Sequence, residues 1–495
     1  MKLTLTTLPI VEEIANGDDF RPTLSGTWTG TNLGSAQVYL QATDSAGTFV
    51  MPAVALAPAG NNYSYTVPLA GTVGVGSYNG LFTVRACQDI QCIKPYTGAM
   101  QTVSYSLKVN AVAEWETLQR NAAHDGYVPI RLDPAKFTKA WEWQRPTPGV
   151  LSFINSVVTF DGKVFVSEDE YAGKPWLYAL SEQNGAIAWK QQFDLSPSPA
   201  LNPPAVSDGK VYVTTTGHGS TYLWAFNAAD GSPVIQSQFA TQWANLLAPT
   251  VKNGRVFVNG GYYGGVVYAY NATTGTPLWS KSSGTYGMNT PAVDDAHVYS
   301  YNGTSLDVHN VASGDIVATI GGTSGGIQTD YHGTPMLGSP DHVIAYRGGA
   351  FSGRASSSTE PYESRYLVNY SVANKAVRWT SAKTYKTYPA VAKGVIYVAS
   401  NNPKSFDAID EATGQVLWSW VPGTMDTTFH RNVIVTNNLV LVSTNRAVYA
   451  LDLATRKPVW ESPTPGALAI SATRMLYIAT GTRESNGKLV AFRLR

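Results

Sequence analysis

Apolar and polar residues alternate along most of this chain, in short runs cut by Gly, Asn, Asp and Pro. Alternation with a period of two sends successive side chains to opposite faces of a strand, so the pattern predicts an all-β protein. Seven runs fill residues 1–110: "LTLTTLPIV", "RPTLSGTWTG", "AQVYLQATD", "FVMPAVALA", "NYSYTVPLA", "YNGLFTVRAC" and "TVSYSLKVN". Seven short strands at that spacing predict an immunoglobulin-like β-sandwich, with Trp28, Tyr39, Tyr65 and Phe82 in its core. Over 111–138 the alternation stops. Glu114–Arg120 fits a short helix, and His124 and Asp125 sit in the turn "HDGYVP", adjacent rather than spaced as metal ligands. Trp115, Leu118, Tyr127, Ile130 and Leu132 make this segment too apolar for a free linker, so it is expected to pack against the domain that follows.

From 139 to 495 one phrase returns. It reads "ALSEQNGAIAW" at 179, "AFNAADGSPVI" at 225, "AYNATTGTPLW" at 269, "VHNVASGDIVA" at 308, "NYSVANKAVRW" at 369, "AIDEATGQVLW" at 408 and "ALDLATRKPVW" at 450. A second phrase precedes each copy, as in "DGKVYV" at 208 and "NGRVFV" at 253, and occurs once more as "TRMLYI" at 473. A four-stranded unit of this length, unable to bury its faces alone, predicts a β-propeller. The last copy, "LVAFRL" at 489, lacks its final strand, and "KAWEW" at 139–143 is an orphan strand before the first copy. Strands from both ends therefore close one blade, giving eight blades, or seven if the degenerate copy at 308 forms none. Within each phrase, Asp, Asn or Ser bonds the turn backbone and Gly supplies its positive φ. Trp189, Trp279, Trp379, Trp418 and Trp460, with Trp141, are then expected to fill the wedges between blades, with Ile235 and Ala318 in their place twice.

Composition narrows the function. A net charge of +1 with 14% charged residues and no basic block removes the electrostatic term behind nucleic-acid binding. No run approaches the length of a transmembrane helix. "MKLTLTTLPIVEE" has no apolar signal core, so no export signal is read there. Cys87 and Cys92 flank a short loop, and a disulfide between them points to a periplasmic or extracellular protein.

The pattern A-x-D-x-x-T-G-x-x-x-W, carried by 408–418, resembles the tryptophan-docking motif of pyrroloquinoline-quinone-type propellers, and "WETLQRNAAHDGYVP" resembles the start of that domain. The family includes quinone-dependent dehydrogenases and non-catalytic envelope proteins. Its dehydrogenases imply a calcium or lanthanide held by Glu and Asn oxygens, an aspartate base, and commonly a disulfide between adjacent cysteines. Glu168, Asp169, Asn259, Asn302 and Asp330 are candidate oxygen donors, but no spacing among them selects a cation cage, and the two cysteines lie five positions apart outside the repeats. No catalytic residue, metal or cofactor is therefore expected. A quinone-dependent dehydrogenase is the alternative reading, and a carbohydrate-active enzyme using Glu168 and Asp330 is a third.

In a four-stranded blade, the Asp-Gly and Thr-Gly turns leave one face of the ring, and the remaining loops leave the other. The second face carries Tyr171, Trp176, Trp243, Tyr262, Tyr263, Tyr286, Tyr331, His332, Arg347, Tyr385, Tyr388, His430 and Arg431 as candidate ligand contacts. The expectation is a scaffold that binds protein, peptide or glycan through this rim.

Overall fold

The computed structural model describes residues 1–30, 37–50, 54–55, 62–71, 73–145, 153–169, 174–193, 200–216, 221–241, 248–260, 265–282, 290–301, 305–321, 334–347, 364–482 and 485–495. The chain divides into two compact units, Met1–Val112 with Pro129–Arg131, and Ala113–Val128 with Leu132–Arg495.

In the first unit, Lys2–Leu5, Thr23–Thr29 and Asn62–Thr66 form one sheet. A second sheet orders Ile10–Ala15, Pro95–Asn110, Gly76–Cys87, Tyr39–Asp44 and Val54–Ala55. The run "LTLTTLPIV" is thus not one strand. It breaks at Thr6–Pro9, and its two halves join different sheets, the second running parallel to Pro95–Asn110. Thr6 and Thr7 donate to Ser25 O at the break, which fixes the switch. Leu3, Trp28, Tyr65, Phe82 and Tyr105 from both sheets share one core, while Tyr39 is only half-buried. Cys87 and Cys92 are disulfide-bonded, with Cα atoms 5.0 Å apart, across the loop joining the two longest strands.

Among its described residues, the second unit makes eight sheets, and these are the blades of a β-propeller. Blade 1 pairs Phe153–Ile154 and Val158–Phe160 with Lys163–Asp169, then Trp176–Ser181 and Ile187–Gln192. The degenerate copy is a complete blade 4: Ala292–Val293, His297–Tyr301, Ser305–Asn310 and Ile316–Gly321. Blade 8 orders Ala467–Ile470, Met475–Thr482, Ser485–Arg493 and then Thr138–Gln144, so the ring closes with a strand from before blade 1. One defect recurs in all eight: a register shift in the outer pair, next to the first residue of the repeated phrase. That first residue, small in most copies, faces the tryptophan: Ala179 opposite Trp189, Ala408 opposite Trp418, Ala491 opposite Trp141. A bulge inserts one residue and re-aims the side chains beside it.

The bulged strand leaves each tryptophan against the next blade. Trp141, Trp189, Trp279 and Trp379 donate their indole N–H to Glu182, Ala228, Val311 and Glu411 carbonyls of the following blade at 2.8–3.2 Å. Their rings lie over the turn glycines Gly185, Gly231, Gly314 and Gly414, where any Cβ would come within 2.5–2.8 Å of the indole. Trp418 meets Arg456 instead, its guanidinium 6.0 Å from the ring, and Trp460 meets Phe137 and Phe492.

Candidate functional site

One end of the ring is filled by the chain itself. Glu114–Arg120 is not a helix; it opens a strap through Val128 that bonds to the inner edge of every blade. Backbone N–H groups of Thr159, Val206, Val293, Leu337, Val391 and Val435 donate to the carbonyls of Trp115, Glu116, Ala122, Ala123, Asp125 and Gly126, at 2.7–3.0 Å. Thr117 Oγ1 donates to Pro249 O at 2.7 Å in the third blade, and Ala472 N donates to Glu114 Oε2 at 3.2 Å in the eighth. A helix over Glu114–Arg120 would have spent the Trp115 and Glu116 carbonyls on itself, whereas here they satisfy strands that have no neighbour on their inner side. Gln119 donates to Pro389 O at 2.5 Å and accepts from Asn432 Nδ2 at 2.8 Å. His124 is fully buried with φ 58°, its Nδ1 3.0 Å from Pro335 O. Burial depresses it to about 4.

The strap sits beside the Asp-Gly turns, at the end of the ring away from the loop face. Of the aromatic and cationic rim candidates, Tyr171, Trp243, Tyr262, Tyr263, Tyr286, Tyr331 and His332 lie outside the described residues, as do Asn302 and Asp330. Trp176 is half-buried, with Lys190 Nζ 4.3 Å from its ring centre, and Arg347 is exposed. Tyr385 and Tyr388 do not belong to a rim. Tyr385 ends the strand Ala376–Tyr385 and Tyr388 sits in an isolated bridge just beyond it, and they are 1% and 4% exposed. Tyr385 donates to Asp407, and Tyr388 lies beside Asn432.

His430 and Arg431 are brought together, with residues the alternation pattern gave no reason to single out, around a cavity of about 560 Å³ between blades 7 and 8. Blade 7 is Phe429–Val435, Leu439–Thr444, Val448–Asp452 and Pro458–Ser462. Its first strand is bulged between His430 and Val433, and Arg431 has φ 68°. Arg431 Nη2 donates to Gly481 O in blade 8 at 3.1 Å. His430 Nε2 lies 2.8 Å from Thr428 Oγ1. The walls are tied down: Ser443 Oγ accepts from Gly466 N at 3.0 Å, Thr444 donates to Asp426 at 2.6 Å, and Asn445 Oδ1 accepts from Thr427 N and Thr428 N. Lys488 completes the lining, 3.1 Å from Glu142, whose carboxyl the hydrogen bonds of Lys139 and Lys488 hold below its usual range.

Among the candidate oxygen donors of a quinone–metal site, Glu168 is already engaged. Glu168 is fully buried: its Oε1 is 2.9 Å from Arg145 Nε and accepts from Tyr178 Oη, and its Oε2 accepts from Trp176 N. It is therefore neither a free metal ligand nor a rim acid, and no group of three His, Cys, Asp or Glu among the described residues converges on a common point. The chain's two cysteines are both in the first unit. Glu168 therefore does not fit the family's quinone site, since both of its oxygens are already bonded.

A family model described as "Outer membrane protein assembly factor BamB" matches residues 124–243, 220–317 and 355–495. No curated protein matches the chain. Among solved structures, BamB from Moraxella catarrhalis is 14% identical with a TM-score of 0.52, covering 72% of this chain and 99% of that one. Quinohemoprotein alcohol dehydrogenase from Comamonas testosteroni is 14% identical with a TM-score of 0.52, covering 77% and 80%. The computationally designed Ika8 protein is 12% identical with a TM-score of 0.51, covering 71% and 98%. At these identities the likeness is one of fold.

Proposed function

The chain belongs to the propeller family whose model is described as outer membrane protein assembly factor BamB, and from that premise we propose a non-catalytic scaffold of the cell envelope that binds protein, peptide or glycan on its loop face. The observation that carries this reading is the strap: it occupies the turn-side end of all eight blades and leaves the loop side as the approach to the ring. The committed oxygens of Glu168 argue in the same direction, because a hard cation needs ligands that are not already bonded. The disulfide of Cys87 and Cys92 supports an oxidising compartment, and no described helix is long and apolar enough to cross a membrane. The first unit, with two sheets around one core, is read as an immunoglobulin-like module.

Photo-crosslinkers placed at Trp176 or Arg347 on the loop face are expected to trap a discrete partner from envelope extracts, while one at the exposed turn residue Asp230 traps none. Adducts from Asp230 alone, or alcohol-dependent dye reduction after reconstitution with pyrroloquinoline quinone and calcium, would overturn the reading.

A further inference from the structure

We propose that the seam between blades 8 and 1, where the ring closes, is a pH-sensitive joint that seals while the Glu182 carboxyl holds a proton and loosens when it ionises. Glu182 follows the strand Trp176–Ser181 and is 5% exposed. Its carbonyl accepts the Trp141 indole N–H from the closing strand, and its carboxyl accepts from Thr473 Oγ1 and Tyr477 Oη of blade 8, each at 2.8 Å. One residue of blade 1 therefore holds blade 8 by both its backbone and its side chain. Glu411 has the same place in the repeated phrase of blade 6 and is also buried, but its partners differ in kind. The backbone N–H of Ser339 donates to its Oε1 at 2.6 Å, and a backbone N–H can only donate. Around the Glu182 carboxyl every described partner is a hydroxyl, Ser471 joining Thr473 and Tyr477, and a hydroxyl donates or accepts. The set can therefore serve the carboxylate or the protonated acid without leaving an oxygen unpaired.

Burial and charge decide between the two forms. The strap brings a second carboxylate to the seam: Glu114 accepts from Thr159 Oγ1 and Asp161 N in blade 1 and from Ala472 N in blade 8. Arg474, Arg493 and Arg495 line a cavity of about 380 Å³ beside Glu182, and none of them is ion-paired with it. The cavity gives a solvent proton a path to the carboxyl. Burial raises Glu182 above its ordinary 4.5 against the pull of the three hydroxyls, and the charge of Glu114 adds to the rise. The folded ring therefore holds the proton to higher pH than the unfolded chain does. This contribution to stability is complete below about pH 4.5 and is lost as pH climbs through the folded value, the opposite direction to a buried histidine.

Hydrogen exchange of the full chain, read by mass spectrometry over residues 138–144 and 471–477, tests this against Glu182→Gln, which keeps a neutral hydrogen-bonding head. Each comparison is made at one pH, so that intrinsic exchange rates cancel. At about pH 8 the native chain is expected to exchange both segments at least about threefold faster than the variant, and at about pH 4 at the same rate. Equal exchange at both pH values, a slower native chain at about pH 8, or a difference that does not change with pH would overturn the proposal. Tyr477→Phe removes a hydroxyl that supports the ionised form, so its fast exchange is expected to begin at lower pH than in the native chain. An onset that stays in place or moves upward contradicts the joint, and this second variant decides the matter alone if Glu182→Gln does not fold.

Discussion

Single residues carry the inter-blade contact, and two glycines of blade 6 separate its causes. Gly394 and Gly414 have nearly the same φ, 76° and 75°. A Cβ on Gly394 would meet nothing within 4 Å, whereas on Gly414 it would lie 2.7 Å from the indole of Trp379. Gly394→Ala is therefore expected to cost about 1 kcal/mol from backbone strain alone. Gly414→Ala is expected to cost roughly 1–3 kcal/mol more, because the ring must move out of its wedge. Urea unfolding of the two variants measures the difference, and equal losses would mean that the indole packing contributes little. Both glycines were legible in the sequence as turn residues, since "KGVIYV" and "ATGQVLW" mark their positions. Their unequal environments were not, because the tryptophan over Gly414 comes from the previous blade.

At the scale of elements, the repeat announced almost everything about the blades, including the orphan strand 139–143 and the blade built on the degenerate copy at 308. The repeat is local, so its periodicity survives in one dimension. The strap is the opposite case. Its apolar residues fit a short helix when Glu114–Arg120 is read alone, and nothing local shows that Gln119 meets Pro389 and Asn432. The same limit hid the burial of Tyr385, Tyr388 and Glu168, whose partners lie on neighbouring strands or blades. His124 gives the strap a measurable signature. Its ordinary value of 6.5 in the unfolded chain falls to about 4 in the folded ring, because no water reaches the imidazole. The unfolded state therefore takes up the proton first as pH drops. Stability is complete above about pH 6.5 and is lost toward pH 4, by about 3 kcal/mol for this group. His124→Asn, which tolerates the positive φ, should unfold with a shallower loss between pH 6.5 and 4. An unchanged slope would show that other groups govern that range.

For the whole molecule, the question is what makes eight blades close rather than remain an open row. Packing between blades is pairwise, each blade meeting only its neighbours, so it does not count them. Two features do. The outer strand of blade 8 comes from Thr138–Gln144, which ties the last blade to the chain just before the first. Successive strap carbonyls each take one inner-strand N–H from blades 1, 2, 4, 5, 6 and 7 in turn, while Thr117 and Glu114 side chains meet blades 3 and 8, so a ring of seven or nine would leave a partner of the strap unmatched. Fragments of the second unit distinguish their contributions. Residues 113–495 keep both devices and are expected to unfold in one cooperative transition. Residues 139–495 keep the closing strand but lose the strap, exposing the inner-strand N–H groups of six blades along with apolar surface that Trp115, Leu118 and Val128 had covered. That fragment is expected to show a lower urea midpoint and a smaller m-value, reporting a native state that already exposes its channel to solvent. Equal midpoints and m-values would assign closure to the outer strand alone. They would also weaken the case for the loop face, since the turn-side end would then be a removable cover rather than a structural floor.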